Sequence, residues 1–69
     1  MEDIRKEVIE NIEQDNGYDF IANNYWKLSK EELKDICLEL TYAIHRHEQF
    51  GDDVKDTAID GLKERWDME

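Results

Sequence analysis

Several features are scarce or missing in this chain of 69 residues. It contains no proline, three glycines and a single cysteine, Cys37. One cysteine cannot form an internal disulfide, so we expect a reducing, cytoplasmic setting and a fold held together by packing. No apolar run approaches the roughly 18 residues of a membrane span, and charged residues follow Met1 at once. We therefore expect neither a transmembrane helix nor a signal peptide.

Positive charge is also scarce. The chain has 19 acidic and 9 basic residues, a formal net charge of -10, and charged residues make up 41% of it. A surface this negative repels phosphate backbones and anionic lipid headgroups, so we expect no direct binding to nucleic acid or membranes. It favours a basic partner instead, and large basic surfaces are typical of proteins that hold nucleic acid.

Apolar residues recur with helical spacing in the first half of the chain. The pattern predicts an amphipathic helix from about Glu2 to Asp15, ended by a left-handed stop at Asn16-Gly17. The aromatic-rich stretch 18–28 predicts a short helix that opens near Asp19.

Two longer helices are predicted after this stretch. Ser29 and Glu32 have the spacing of a capping box, and the helix behind them should run to about Gln49 or Phe50. Gly51 ends it, and a last helix is predicted for residues 53–66. The predicted fold is all-α, a single domain over residues 1–69. It is a small compact bundle of three longer helices and one short helix, with antiparallel neighbours.

The inward stripes of the predicted helices give a candidate core. Gly61 interrupts the last stripe at a cost of about 1 kcal/mol relative to alanine, which indicates either close packing or a softer terminal turn. The predicted core residues are Ile4, Val8, Ile9, Ile12, Leu33, Ile36, Cys37, Leu40, Ala43, Ile44, His47, Val54, Ala58, Ile59, Leu62 and Trp66.

Negative charge is concentrated at the two ends of the chain. Residues 1–19 hold seven acids and two bases, residues 20–51 five and four, and residues 52–69 seven and three. On the last helix, five carboxylates fall within an arc of about 80° and over about 21 Å, a length that spans roughly six phosphates of a DNA strand. We call this set the acidic ridge: Asp53, Asp56, Asp60, Glu64 and Asp67. It is either a partner-binding surface or an ordinary solvated helix face.

A second candidate contact lies on the third helix. Leu38 and Tyr42 are four residues apart and fall outside the core stripe, beside acidic residues. Either the 18–28 segment folds over them and makes them core, or they are exposed and form an apolar hot spot for a partner.

No arrangement typical of catalysis or metal binding stands out. Ser29 is used as a helix cap, and Cys37 is predicted to be a buried, inert thiol. His45 and His47 are two residues apart, so a helix would point them in divergent directions. A calcium loop aligned on Gly17 would place Ile12 at its first ligand position, which excludes it. We expect no enzymatic activity, no cofactor and no metal.

In size and charge the chain resembles the small acidic helical proteins, DNA mimics among them, that phages and mobile elements use to block host machinery; no motif carries this resemblance. The leading hypothesis is an inhibitor or modulator of a basic, nucleic-acid-handling protein, which the acidic ridge would contact. The alternative is a helical adaptor, an antitoxin-like or immunity-like partner, or a homodimer. Its contacts would be apolar, through Leu38, Tyr42, Tyr25 and Trp26.

Overall fold

The computed structural model describes residues 3–68, so the predicted helix start at Glu2 lies outside the described part. No strand occurs among the described residues, which confirms the all-α prediction. The Cα radius of gyration is 11.6 Å, close to the value of about 11 Å expected for a folded chain of this length. A 3₁₀ turn at Tyr25–Lys27 separates the second and third of four α-helices, which are α1 (Ile4–Glu13), α2 (Gly17–Asn24), α3 (Lys30–Phe50) and α4 (Val54–Arg65).

Side-chain caps fix where the helices begin. Asp3 caps α1 and Asp53 caps α4, where its carboxylate accepts the backbone N–H of Asp56 at 2.9 Å. The predicted capping box of α3 is confirmed in both directions. The Ser29 hydroxyl accepts the Glu32 N–H at 3.1 Å, and the Glu32 carboxylate accepts the Ser29 N–H at 2.8 Å. These bonds satisfy backbone donors that have no partner within the helix.

Two turns show how the helices end. Gly51 is left-handed with φ of 76°, as predicted for the end of α3. The prediction for the end of α1 is wrong in detail, because Asp15 takes the left-handed conformation, with φ of 61°. Gly17 instead begins α2, where an added Cβ would lie 2.8 Å from the Ile12 side chain. Glycine is needed there for close approach of the two helices.

The core forms where α1, α3 and α4 meet, and the pattern-based prediction recovers most of it. α1 packs on both α2 and α4, while α3 packs mainly on α4. Leu28, from the segment before α3, was not among the predicted core residues. The buried cluster is Val8, Ile9, Leu28, Ile36, Ile59, Leu62 and Trp66, with Ile4, Ile12, Phe20, Ile21, Leu33, Leu40 and Met68 half-buried around it. Ala43 and Ala58 are also buried.

Three residues predicted to point inward on α3 are exposed: Cys37, Ile44 and His47. The cause is the packing of α3, for which α4 is the main neighbour, so side chains of its apolar stripe that lie outside this contact stay exposed. His47 lies near the end of α3, where its Nδ1 is 2.9 Å from the Asp52 carbonyl oxygen. A broad apolar stripe therefore does not become core unless two helices cover it.

Candidate partner-binding surface

All five members of the acidic ridge are exposed, but they do not form one helical row. Asp53 is the N-cap of α4, and Asp67 lies beyond its last residue with a left-handed φ of 58°. Only Asp56, Asp60 and Glu64 are inside the helix, where they span about 12 Å. The expectation of a 21 Å row along one helix is therefore wrong, because α4 ends at Arg65.

The ion pairs of the described residues join side chains that do not belong to the ridge. Arg65 bridges to Glu39 at 2.7 Å and to Asp35 at 3.4 Å, and both of these carboxylates belong to α3. The other pairs are Arg5–Glu32, Arg46–Asp52 and Lys55–Asp15. Within residues 3–68, no ion pair includes a ridge carboxylate, so the ridge presents its negative charge to solvent.

Basic side chains lie on both flanks of the ridge. On one side, Lys55 and Lys63 line a hollow together with Glu13, Asp56 and Asp60. On the side that faces α3, Arg46 and Arg65 line a groove together with Glu39, Asp60 and Glu64. The negative charge of the ridge is therefore partly offset on both flanks.

Gly61 leaves room on the flank that faces α3 for a side chain of that helix. A Cβ added at Gly61 would lie 2.7 Å from the Glu39 side-chain Cδ. Glu39 in turn accepts the Arg65 Nε–H at 2.7 Å. The contact with the Glu39 side chain favours the close-packing interpretation of Gly61, and α4 continues unbroken to Arg65.

A groove between α3 and α4 joins the two features that the sequence treats separately. It has a volume of about 450 Å³, and we call it the α3–α4 groove. Asp60 and Glu64 of the ridge line the α4 wall together with Arg65, and Tyr42 lines the α3 wall together with Glu39 and Arg46. Tyr42 is 50% exposed and Leu38 is 43% exposed, so the interpretation that residues 18–28 cover them is wrong. Carboxylates and an exposed aromatic ring therefore share one surface.

Arg46 orders the Tyr42 side of this groove. Its guanidinium lies 6.0 Å from the centre of the Tyr42 ring and 4.8 Å from that of Phe50. Its Nε donates to the Asp52 carboxylate at 2.7 Å, and Nη1 donates to the Tyr42 hydroxyl at 3.4 Å. The bonds to Asp52 and Tyr42 raise the pKa of Arg46. Arg46 is thus held by its own chain next to the aromatic ring.

A polar network holds the C-terminal end of α4 in place. The sequence did not predict this network. Glu32 has a side chain only 12% exposed, and it accepts the Arg5 Nε–H at 2.6 Å. Burial alone would raise the pKa of Glu32, but hydrogen bonds from the Ser29 backbone N–H and from Arg5 outweigh it and lower the pKa. The Trp66 indole N–H donates to Asp35 at 2.9 Å. The only signal in the sequence was the capping spacing of Glu32, which does not identify Arg5 as a partner.

The aromatic residues of the 18–28 segment also reach solvent. Tyr18 is 85% exposed and Trp26 is 65% exposed. Tyr25 and Trp26 contact each other edge to face, with ring centres 5.4 Å apart. The residues of the apolar alternative are thus all accessible, although Tyr25 and Trp26 are not among those lining the α3–α4 groove.

The residues considered as catalytic or metal-binding candidates are a helix cap and three surface side chains. Ser29 is the helix cap, and Cys37, His45 and His47 lie at the surface of α3. In the part of the chain that the structure describes, no three His, Cys, Asp or Glu side chains are grouped so as to hold a metal ion. None of the helices in that part has the length and apolar character to cross a membrane.

No protein-family model matches the chain, and neither a curated protein nor a solved structure shows significant similarity to it. The chemistry of the surface is therefore what indicates a function.

Proposed function

We propose that this protein is a small acidic binding module that inhibits or modulates a basic, nucleic-acid-handling protein. One observation carries the proposal. Asp60 and Glu64, outside every ion pair of the described residues, line the same groove as the exposed ring of Tyr42. Aromatic side chains are frequent hot spots of protein interfaces, and complementary charge steers association and selects partners. Arginine and lysine side chains of the partner would face this surface.

The mechanism we propose is competitive occupation of a nucleic-acid-binding surface. Within α4 the ridge carboxylates are about 6 Å apart along the helix axis, nearly twice the roughly 3.4 Å step of phosphates along a DNA strand. The proposed mimicry therefore rests on the sign and placement of charge and not on a phosphate-by-phosphate match. Phage and mobile-element inhibitors of host enzymes are the type of protein that this mechanism suggests.

Reversing the ridge charge tests the proposal. In a variant carrying Asp56→Lys, Asp60→Lys and Glu64→Lys, we expect binding to basic proteins captured from a host lysate at low salt to fall at least about a hundredfold. Far-ultraviolet circular dichroism should stay helical, because all three side chains are exposed. Wild-type binding should also weaken steeply as salt is added.

A matched control distinguishes the effect of the ridge carboxylates from the effect of the overall net charge. The triple change of Asp19, Glu31 and Glu48 to lysine alters the net charge by the same amount at exposed positions of α2 and α3. None of these side chains is in an ion pair of the described residues, and none lines a hollow with a ridge carboxylate. We expect this variant to keep most of the binding. An equal loss in both variants would assign the effect to overall charge, and retention in the ridge variant would remove the proposal.

A second candidate function is recognition through apolar contacts, as in a helical adaptor, an antitoxin-like or immunity-like partner, or a homodimer. It is favoured by the exposure of Leu38, Tyr42, Tyr25 and Trp26. Binding of this kind should depend little on salt and strongly on Tyr42→Ala, whereas the ridge-reversed variant should retain it.

A further inference from the structure

A second groove, larger and apolar, lies on a different part of the molecule. Its volume is about 590 Å³, and we call it the apolar groove. All four helices contribute to it, and Tyr18 stands at its rim. Its principal apolar lining residues are Ile12, Ile21, Ala22, Ile36, Leu40 and Val54.

The groove exists because of how the helices pair. α2 packs chiefly on α1, and α3 packs chiefly on α4, so the space between α2 and α3 is left unfilled. Ile12, Ile21 and Leu40 are only half-buried for this reason. Apolar surface left open in a groove with polar edges is typical of an interaction site.

The charges at one end of the groove indicate what kind of segment would occupy it. Asp15 and Lys55 line this end and pair at 3.2 Å. Asp53 lies in the adjoining hollow, which Asp15, Val54 and Lys55 also line. The carboxylates of Asp15 and Asp53 thus outnumber the one ammonium group of Lys55 here, and the whole chain carries a net charge of -10. A basic occupant is favoured, while a second copy of this acidic chain would be repelled.

We propose that the apolar groove binds an amphipathic basic helix of a partner protein. Its apolar side chains, spaced three or four residues apart, would enter the groove between α2 and α3. A lysine or arginine at one end of that helix would lie beside Asp15 and Asp53. This site is separate from Asp56, Asp60 and Glu64, so each proposal can fail without the other.

Two synthetic peptides of identical leucine and lysine composition test this inference. One carries its leucines at helical spacing, and the other has the same residues in shuffled order. We expect the amphipathic peptide to bind the wild-type protein about tenfold more tightly than the shuffled one, measured by isothermal titration calorimetry. The ridge-reversed variant should preserve this preference. Equal affinities would show that charge alone attracts the peptides and would overturn the proposal.

Substitutions in α2 test whether the peptide binds in the apolar groove. Ala22→Phe fills the groove and should lower the affinity for the amphipathic peptide about tenfold. Asn23→Phe adds the same side chain one residue away, at an exposed position that does not line the groove, and should leave the affinity unchanged. Asp15→Asn should weaken binding about threefold. Asparagine tolerates the left-handed backbone at this position, so the fold should be kept.

Sedimentation tests whether a second copy of the chain occupies the apolar groove instead of a partner helix. We expect the wild-type protein to sediment as a monomer without peptide. A wild-type dimer that Ala22→Phe dissociates would assign the groove to a second copy of the chain. Unchanged peptide affinity in Ala22→Phe would place the peptide elsewhere, and either result overturns the proposal.

Discussion

Replacing Trp66 with alanine should lower the free energy of unfolding by about 3–5 kcal/mol. The ring is only 6% exposed, and it closes the core at the end of α4. Its indole N–H donates to Asp35 on α3, and the Arg5 guanidinium lies 5.5 Å from the ring centre. The Trp66 side chain thus contacts residues of both α1 and α3 and links these helices to the end of α4. A chain of this length is typically stable by about 3–10 kcal/mol, so the variant should lose at least about a third of its stability.

The other tryptophan is a matched control for this prediction. Trp26 is 65% exposed, and Trp26→Ala should cost less than about 1 kcal/mol. Urea unfolding followed by far-ultraviolet circular dichroism measures both variants. Trp66→Phe should fall between them, because it keeps an aromatic ring but loses the bond to Asp35. Similar losses for Trp66→Ala and Trp26→Ala would contradict the described core.

Removing the Glu32 carboxylate should have the next largest effect on stability. We expect Glu32→Ala to lower the free energy of unfolding by about 2–3 kcal/mol, from a lost helix cap and a lost charge-assisted hydrogen bond to Arg5. The estimate lies below the cost of breaking a fully buried pair, because the Arg5 side chain is partly exposed and water screens its charge. Urea unfolding at neutral pH measures the difference.

The Glu32→Gln variant isolates the charge and gives the pH dependence. Glutamine can still accept the Ser29 N–H, so the capping box remains. The folded protein lowers the pKa of Glu32 below its ordinary value of 4.5, so its carboxylate stabilises the fold above that pH. The stability gap between the wild type and Glu32→Gln should be full at neutral pH and should close as the pH falls through the lowered pKa. A gap that stays constant down to acidic pH would show that the charge of Glu32 does not matter.

Local signals in the sequence predicted both ends of α3 well. The box formed by Ser29 and Glu32 and the left-handed Gly51 are each determined by a few neighbouring residues, and both predictions are confirmed. The burial of Cys37, Ile44 and His47 was predicted wrongly. Helical spacing gives the direction of a side chain, but which helices lie over it is a property of the tertiary packing. The antiparallel arrangement of all neighbouring helices stays a prediction.

The candidate surface could be predicted only in pieces. Spacing alone grouped the ridge carboxylates on one helix face and placed Leu38 and Tyr42 outside the core stripe, but it left open whether Leu38 and Tyr42 are exposed. That Tyr42 and Glu64 line one groove depends on how α3 sits against α4, which the close approach of Gly61 to Glu39 helps to set. The capping role of Asp53 also follows from where α4 begins. Helical spacing within one element cannot supply contacts between elements.

Mapping the backbone amide shifts that an arginine-rich peptide causes in the isotope-labelled protein tests the central claim most directly. The proposed surface predicts the largest shifts at residues 56–64 and at Tyr42, fading as salt is added. The internal control is the set Asp19, Glu31 and Glu48, because these exposed carboxylates are also outside the ion pairs of residues 3–68 and line no hollow with the ridge. Shifts that are largest at these control residues, or spread evenly over all acidic residues, would contradict a dedicated binding surface between α3 and α4.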